Sequence, residues 1–158
     1  MQRHPMTPRG YQLLREELTH LKSVVRPKIV LDIEEARAHG DISENSEYED
    51  AKHRQSLCEG RTREIESKLA ASEVIDVTKI PPDDRVIFGA TVVIEDLSSE
   101  VEVSYRIVGM DEADVKSGTI SVSSPIARAL IGKEVGDEVV VQAPVGERRY
   151  AITDVSYV

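Results

Sequence analysis

Between residues 40 and 50 the chain reads Gly-Asp-Ile-Ser-Glu-Asn-Ser-Glu-Tyr-Glu-Asp, five carboxylates with no Lys or Arg among them. Asp41 and Glu44 are the pair whose type and spacing could do chemistry. Two hard carboxylates three residues apart can share a divalent cation or take a proton from water. Alone they would hold Mg²⁺ poorly, because that ion takes about six oxygens in tight octahedral geometry. No further ligand cluster is apparent in the sequence, so a metal role requires a partner that brings the remaining ligands. A structural reading stands beside the chemical one. Asp41 can cap a helix with Glu44 in its first turn, or Ser43 can cap it with Glu47 reaching back.

The elements on either side suggest how such a pair would be delivered. Thr7 and Pro8 read as a helix cap and first helical position. Apolar or small residues then recur at Leu14, Leu18, Leu21, Val25, Ile29, Ile33, Ala36 and Gly40, a heptad-like seam that slips in the middle. Pro27 sits at the slip, where a bend is expected. Gly40 suits the position just beyond the helix end, with Arg37 and His39 in the last turn. The return segment carries Tyr48, Ala51, Gln55, Cys58, Thr62, Ile65, Leu69 and Ser72 on one seam. Two antiparallel helices of roughly 30 residues extend about 45–50 Å, which implies reach. The seam is polar or small near the acidic end, so most of the stability is expected from the base.

After Val74 the period changes. Ile80-Pro81-Pro82-Asp83-Asp84 reads as a short, stiff linker. Strands are expected over 90–96, 101–108, 119–122, 138–142 and 149–157, separated by turn residues. One short helix is expected after Ser124 and Pro125, ending at Gly132. The fold class is α+β in two domains: an antiparallel helical coiled-coil hairpin at 1–78, with its tip at about 40–50, and a small β-rich domain with one short helix at 79–158.

The formal charge is −9 in 158 residues. Residues 1–79 carry 13 Lys/Arg against 15 Asp/Glu, and residues 80–158 carry 7 against 14. That balance excludes bulk electrostatic binding to nucleic acid, which needs cations to displace counterions. Cys58, the single cysteine, can form no internal disulfide. The four histidines show no ligand spacing. No apolar run approaches membrane-spanning length, so a cytoplasmic protein without membrane contact is expected. Arg37, Lys52 and Arg54 flank the acids, either as solvated helix faces or as a small patch toward a phosphate backbone. Tyr48 falls on the seam.

The run from Gly40 to Tyr48, with Ala51-Lys52 and Cys58-Glu59-Gly60-Arg61, resembles the tip and return helix of the bacterial transcript cleavage factors, the GreA/GreB family. Residues 74–79, 86–92 and 124–133 resemble the same family's second half, in the same order. The modest basic content is similar to that of its GreA-like branch. Lys52 stands where Arg is common there, keeping the charge and losing the planar fork. The resemblance implies an FKBP-like second domain that docks on the rim of the secondary channel of bacterial RNA polymerase, with Ser124, Pro125 and Ile126 as candidate contacts. It implies that the hairpin enters that channel. Asp41 and Glu44 would then act as catalytic residues in trans on backtracked RNA, near the nascent 3′ end, and share Mg²⁺ with the polymerase. Arg37, Ser43, Asn45, Tyr48 and Lys52 would line the tip contact with RNA and polymerase. The protein would thus be a catalytic cofactor, binding no metal by itself and expected to be a monomer. A channel-binding inhibitor of the same shape is the alternative. A prolyl isomerase would want an aromatic-lined pocket, and the second half offers only Phe88, Tyr105, Tyr150 and Tyr157.

Overall fold

The structure, a computed structural model, describes residues 3–40 and 45–158. The described residues form two units, one of residues 11–72 and one of residues 3–10 with 73–158. The second unit thus takes in the first residues of the chain, which the sequence division at 78/79 assigned to the hairpin. Strand β1 (His4–Met6) pairs with β2 (Ser72–Val74), and the Ile75 amide donates to the Met6 carbonyl at 2.9 Å. Backbone pairing between segments so distant in sequence leaves no local periodicity to read.

In the first unit the hairpin arms are the continuation of α1 (Pro8–His20), α2 (Arg26–Ala38), and the return helix α3 (Ser46–Ala70). Between α1 and α2, Leu21–Val25 form a π-helical turn in which the Arg26 amide donates to the Leu21 carbonyl. Pro27 explains it. Its ring has no N–H and crowds the carbonyl four residues back, so the helix widens just before it. The seam is as the spacing predicts, with Leu14, Ile29, Ile33, Ala36, Ala51, Cys58, Thr62 and Ile65 all buried. One expectation is corrected. Ile29, Ile33, Ala51 and Cys58 form a contiguous cluster with Leu21, Val25 and Tyr48 against it, so the tip half of the hairpin is well packed. The cluster combines Ile29 and Ile33 with the small Ala51 and Cys58, which the thin apolar content near the tip concealed.

Charged pairs cross the seam. Arg26 holds Glu59 through two bonds of 2.7 and 2.8 Å, and Arg61 holds Glu17 through two of 2.6 and 2.8 Å. Lys22 meets Glu66 at 3.0 Å, and Arg54 meets Asp32 at 3.0 Å. Such half-exposed pairs contribute little energy each, but a slipped register would leave them unmatched.

The second unit is built on a five-stranded sheet in the order β5-β4-β3-β7-β6. Its strands are β3 (Thr91–Asp96), β4 (Glu102–Val108), β5 (Thr119–Ser121), β6 (Glu138–Ala143) and β7 (Gly146–Ser156). All neighbours are antiparallel except β4 and β5. Alternation along β3 buries Val92 and Ile94 while Thr91, Val93 and Glu95 stay half-buried. The helix α4 (Pro125–Leu130) brings Ala127 and Leu130 into the same core as Val86, Phe88, Ile107, Ile120, Val139 and Ile152. Residues Ile80–Asp84, expected as a linker, are exposed but lie inside the second unit, whose boundary falls at 72/73.

Candidate functional site at the hairpin tip

Helix α2 ends at Ala38 and is closed by its own backbone. The His39 amide donates to the Ala36 carbonyl at 3.2 Å and the Gly40 amide to the Arg37 carbonyl at 3.3 Å. Gly40 has φ +114°, a backbone state that a side chain would strain, so glycine is required to leave the helix here.

On the other side of the tip the cap of α3 is Asn45. Its Oδ1 accepts from the Glu47 amide at 3.1 Å and the Tyr48 amide at 3.2 Å. Its Nδ2 donates to the Ala36 carbonyl at 2.6 Å. One side chain therefore starts the return helix and satisfies a carbonyl at the end of the outgoing one. This replaces both caps expected from sequence, Asp41 and Ser43. Ser43 and Glu47 are four residues apart where the reciprocal box needs three. Glu47 is instead paired across the tip with His39, its Oε2 standing 3.1 Å from Nδ1.

Arg37 and Tyr48 are also brought together, with the guanidinium carbon 5.8 Å from the ring centroid. Tyr48 is half-buried against the seam cluster, so part of it packs while its ring face meets the cation. Lys52, one turn further along α3, donates to Gln55 at 2.9 Å and is exposed. Arg54 is committed to Asp32 and to Asp50, at 3.0 and 3.1 Å. Lys28 and then Arg54 hold the Asp32 carboxyl below its usual range by hydrogen bonding to the charged form. Asp41, Ser43 and Glu44 lie outside the described residues.

Ser124, Pro125 and Ile126 sit in the other unit, at the start of α4. Ser124 Oγ accepts from the Ala127 amide at 3.3 Å, the cap expected of it. Pro125 is exposed, while Ile126 is half-buried against the core. Of the three, Pro125 is the most open to a partner.

Among the described residues no group of three or more His, Cys, Asp or Glu is arranged to hold a metal ion. Asp41 and Glu44 match Mg²⁺ in the kind of donor and fall short in number. Among the described residues no helix is long and apolar enough to cross a membrane.

Comparison with known proteins decides the family. Residues 4–74 match the family model described as transcription elongation factor, N-terminal, and residues 81–157 match that described as transcription elongation factor, GreA/GreB, C-term. The chain belongs to the GreA/GreB family. The transcription elongation factor GreA of Methylococcus capsulatus is 58% identical to it over 158 residues, with 100% of both chains covered. The GreA of Yersinia pestis is likewise 58% identical over 100% of both chains. Among solved structures, the GreA/GreB elongation factor from Nitrosomonas europaea is 23% identical, covers 99% of this chain and 100% of that one, and gives a TM-score of 0.43. As a GreA/GreB protein the chain is a transcription elongation factor, which disfavours the inhibitor reading. Asn45 and Glu47 were missed as tip braces because each depends on a residue of the other arm. An asparagine just before a helical run is the one local sign that was available.

Proposed function

We propose that the protein enters the secondary channel of bacterial RNA polymerase and stimulates the polymerase's own Mg²⁺-dependent cleavage of backtracked nascent RNA. Asp41 and Glu44 act there in trans. The observation that carries this reading is full-length identity of 58% to GreA elongation factors in a chain that keeps the carboxylate pair at its hairpin tip. The bracing of the tip supports it. Asn45 ties the start of α3 to the end of α2, and His39 with Glu47 ties them again, so the two arms are held together where the chain passes between them.

In this reading Asp41 would help hold Mg²⁺, and Glu44 would position or deprotonate the attacking water. When bound, Mg²⁺ supplies Lewis acidity toward the water and the leaving oxygen. The polymerase supplies the remaining ligands, which is why the isolated protein is a cofactor of the reaction and not a nuclease. Arg37, Ser43, Asn45, Tyr48 and Lys52 form the tip contact with RNA and polymerase. The β-rich unit docks on the channel rim through Ser124, Pro125 and Ile126. The protein works in the cytoplasm as a monomer.

The test is RNA release from a stalled, backtracked polymerase complex in Mg²⁺, comparing wild type with Asp41→Asn and Glu44→Gln. Wild type should release 3′ fragments, and each variant should bind equally and cleave at least about 100-fold more slowly. Equal cleavage by all three proteins would remove the carboxylates from the chemistry. Suppression of cleavage by wild type would favour a channel-blocking role.

A further inference from the structure

The two arms of the hairpin leave an apolar groove between them, about 440 Å³ in volume. Its outgoing wall is Leu21, Val24, Val25, Lys28 and Ile29. Its return wall is Arg54, Leu57, Cys58 and Arg61. Both walls recur at three- and four-residue spacings, so each is a single helix face. Leu57 lies about 18 Å along α3 from Asn45, by the rise of an α-helix.

Two features set this groove apart from the rest of the hairpin surface. Leu57 is 60% exposed and Val24 54%, on helix faces that solvent alone would keep polar. The π-helical turn Leu21–Val25 buries none of its residues, although Leu21, Val24 and Val25 are apolar and line the groove. Such turns gather at functional sites, and an exposed apolar strip with a polar rim marks a surface that a partner covers.

The rim is cationic. Lys28 stands 2.7 Å from Asp32, Arg54 is held by Asp32 and Asp50, and Arg61 by Glu17 and Glu64. All three cations line the groove, and among the described residues none of these acids does. A guanidinium has five N–H donors, more than these pairs use, so Arg54 and Arg61 can each take a further carboxylate. Among the described residues no aromatic ring lines the groove, so it lacks the stacking surface that single-stranded nucleic acid uses. Both walls are helical, which leaves no strand edge for an extended peptide. What fits a valley between two helices is a third helix, with a ridge of its side chains in the groove.

We propose that this groove docks a polymerase helix that carries an apolar stripe flanked by Asp or Glu. The stripe packs on Val24, Val25 and Leu57, and the flanking carboxylates meet Lys28, Arg54 and Arg61. This rests on the function proposed above and adds to it a grip that takes no part in the chemistry. Weakening the grip raises the concentration of factor needed and leaves the rate at saturation unchanged.

The experiment compares full-length wild type with Leu57→Met, Leu57→Lys and Leu57→Glu in the backtracked-complex assay, over a range of factor concentrations. Leu57 is exposed, so its variants keep the seam, which thermal melts by circular dichroism check. Glu should raise the half-saturating concentration at least about 10-fold, by losing apolar contact and repelling the acidic flanks. Lys should raise it less, and Met should stay within about 2-fold of wild type. Val24→Glu, on the opposite wall, should reproduce the loss. In parallel, the same proteins, labelled at the N-terminal amine, are titrated with core polymerase free of nucleic acid, where the same order of affinities is expected. Wild-type half-saturation in Leu57→Glu and Val24→Glu would overturn the proposal. So would a loss with Lys as large as with Glu, which removes the acidic helix, or a loss seen only with RNA present, which gives the groove to RNA. Sedimentation of the free protein tests self-docking: a dimer that Leu57→Glu dissolves, with polymerase binding unchanged, would overturn the proposal in favour of a second copy. If wild type binds core polymerase and fails to stimulate cleavage, the proposed function falls, and the order of affinities alone decides the groove. No binding by wild type would overturn both.

Discussion

The hairpin and the β-rich unit are stabilised in opposite ways. The β-rich unit buries a contiguous aliphatic core, with Val86, Val92, Ile94, Ile107 and Leu130 wholly out of water. The hairpin buries a single seam, much of it small or polar, and lays ion pairs across it from Glu17 with Arg61 to Asp32 with Arg54. A sheet covered by a helix can hold its shape by volume filling alone. Two long helices pack along a line, where a shift by one heptad costs little apolar contact, so charge matching and caps must select the register. The difference teaches which contacts specify and which stabilise.

Three substitutions and a change of pH sharpen this contrast. The largest effect is expected in the β-rich core. Ile107→Ala should cost about 3–4 kcal/mol, because a wholly buried side chain leaves a cavity in a rigid surround. Urea melts followed by hydrogen exchange would check it. Protection should fall throughout the sheet strands, and a loss confined to α2 and α3 would break the contrast.

An intermediate effect is expected at the tip. Asn45→Ala removes the α3 cap and the donor to the Ala36 carbonyl together, and should cost about 1 kcal/mol. The loss should appear as faster amide exchange at Glu47 and Tyr48, with the sheet unchanged. Unaltered exchange at those two amides would show that the tip is held by other contacts.

The smallest effect per residue is expected from the ion pairs. Glu17→Gln should cost less than about 1 kcal/mol, since both partners are partly solvated. Acid acts on all such pairs at once. Hydrogen bonding from Arg61 holds Glu17 below its ordinary value of 4.5, Arg26 does the same for Glu59, and Lys28 with Arg54 does so for Asp32, whose ordinary value is 3.8. These groups are deprotonated more readily in the folded chain than in the unfolded one. Their stabilisation is present in full above the ordinary carboxylate values and is lost as pH falls through the lowered ones. Asp76 and Asp96 are lowered similarly in the β-rich unit, by Thr78 and Ser98, but there the core carries most of the stability. Exchange measured from pH 6 downward should therefore show the hairpin opening first, and an earlier loss of the sheet would contradict the account.

Much of this molecule is local enough to read from residues in order. The seam positions from Leu14 to Ile65, the five sheet strands within a few residues, the caps at Thr7 and Ser124, and the exit at Gly40 all depend on period or on neighbours three or four places away. A repeat of 3.5 or 2 sorts side chains to one face whatever else the chain does, so these features follow from sequence alone. The family was legible for the same reason, since its motifs are contiguous runs.

Contacts across long separations were not. That Asn45 also braces the other arm depends on the Ala36 carbonyl, and that β1 exists depends on β2 arriving beside it. Pro27 announced a disturbance, while its form as a π-turn shows only in the backbone bond from the Arg26 amide to the Leu21 carbonyl. Glu112 looked like one solvated acid among many in an acidic half. Only the fold puts it at Thr7, because a hydrogen bond selects its partner by distance in space and the sequence records only distance along the chain.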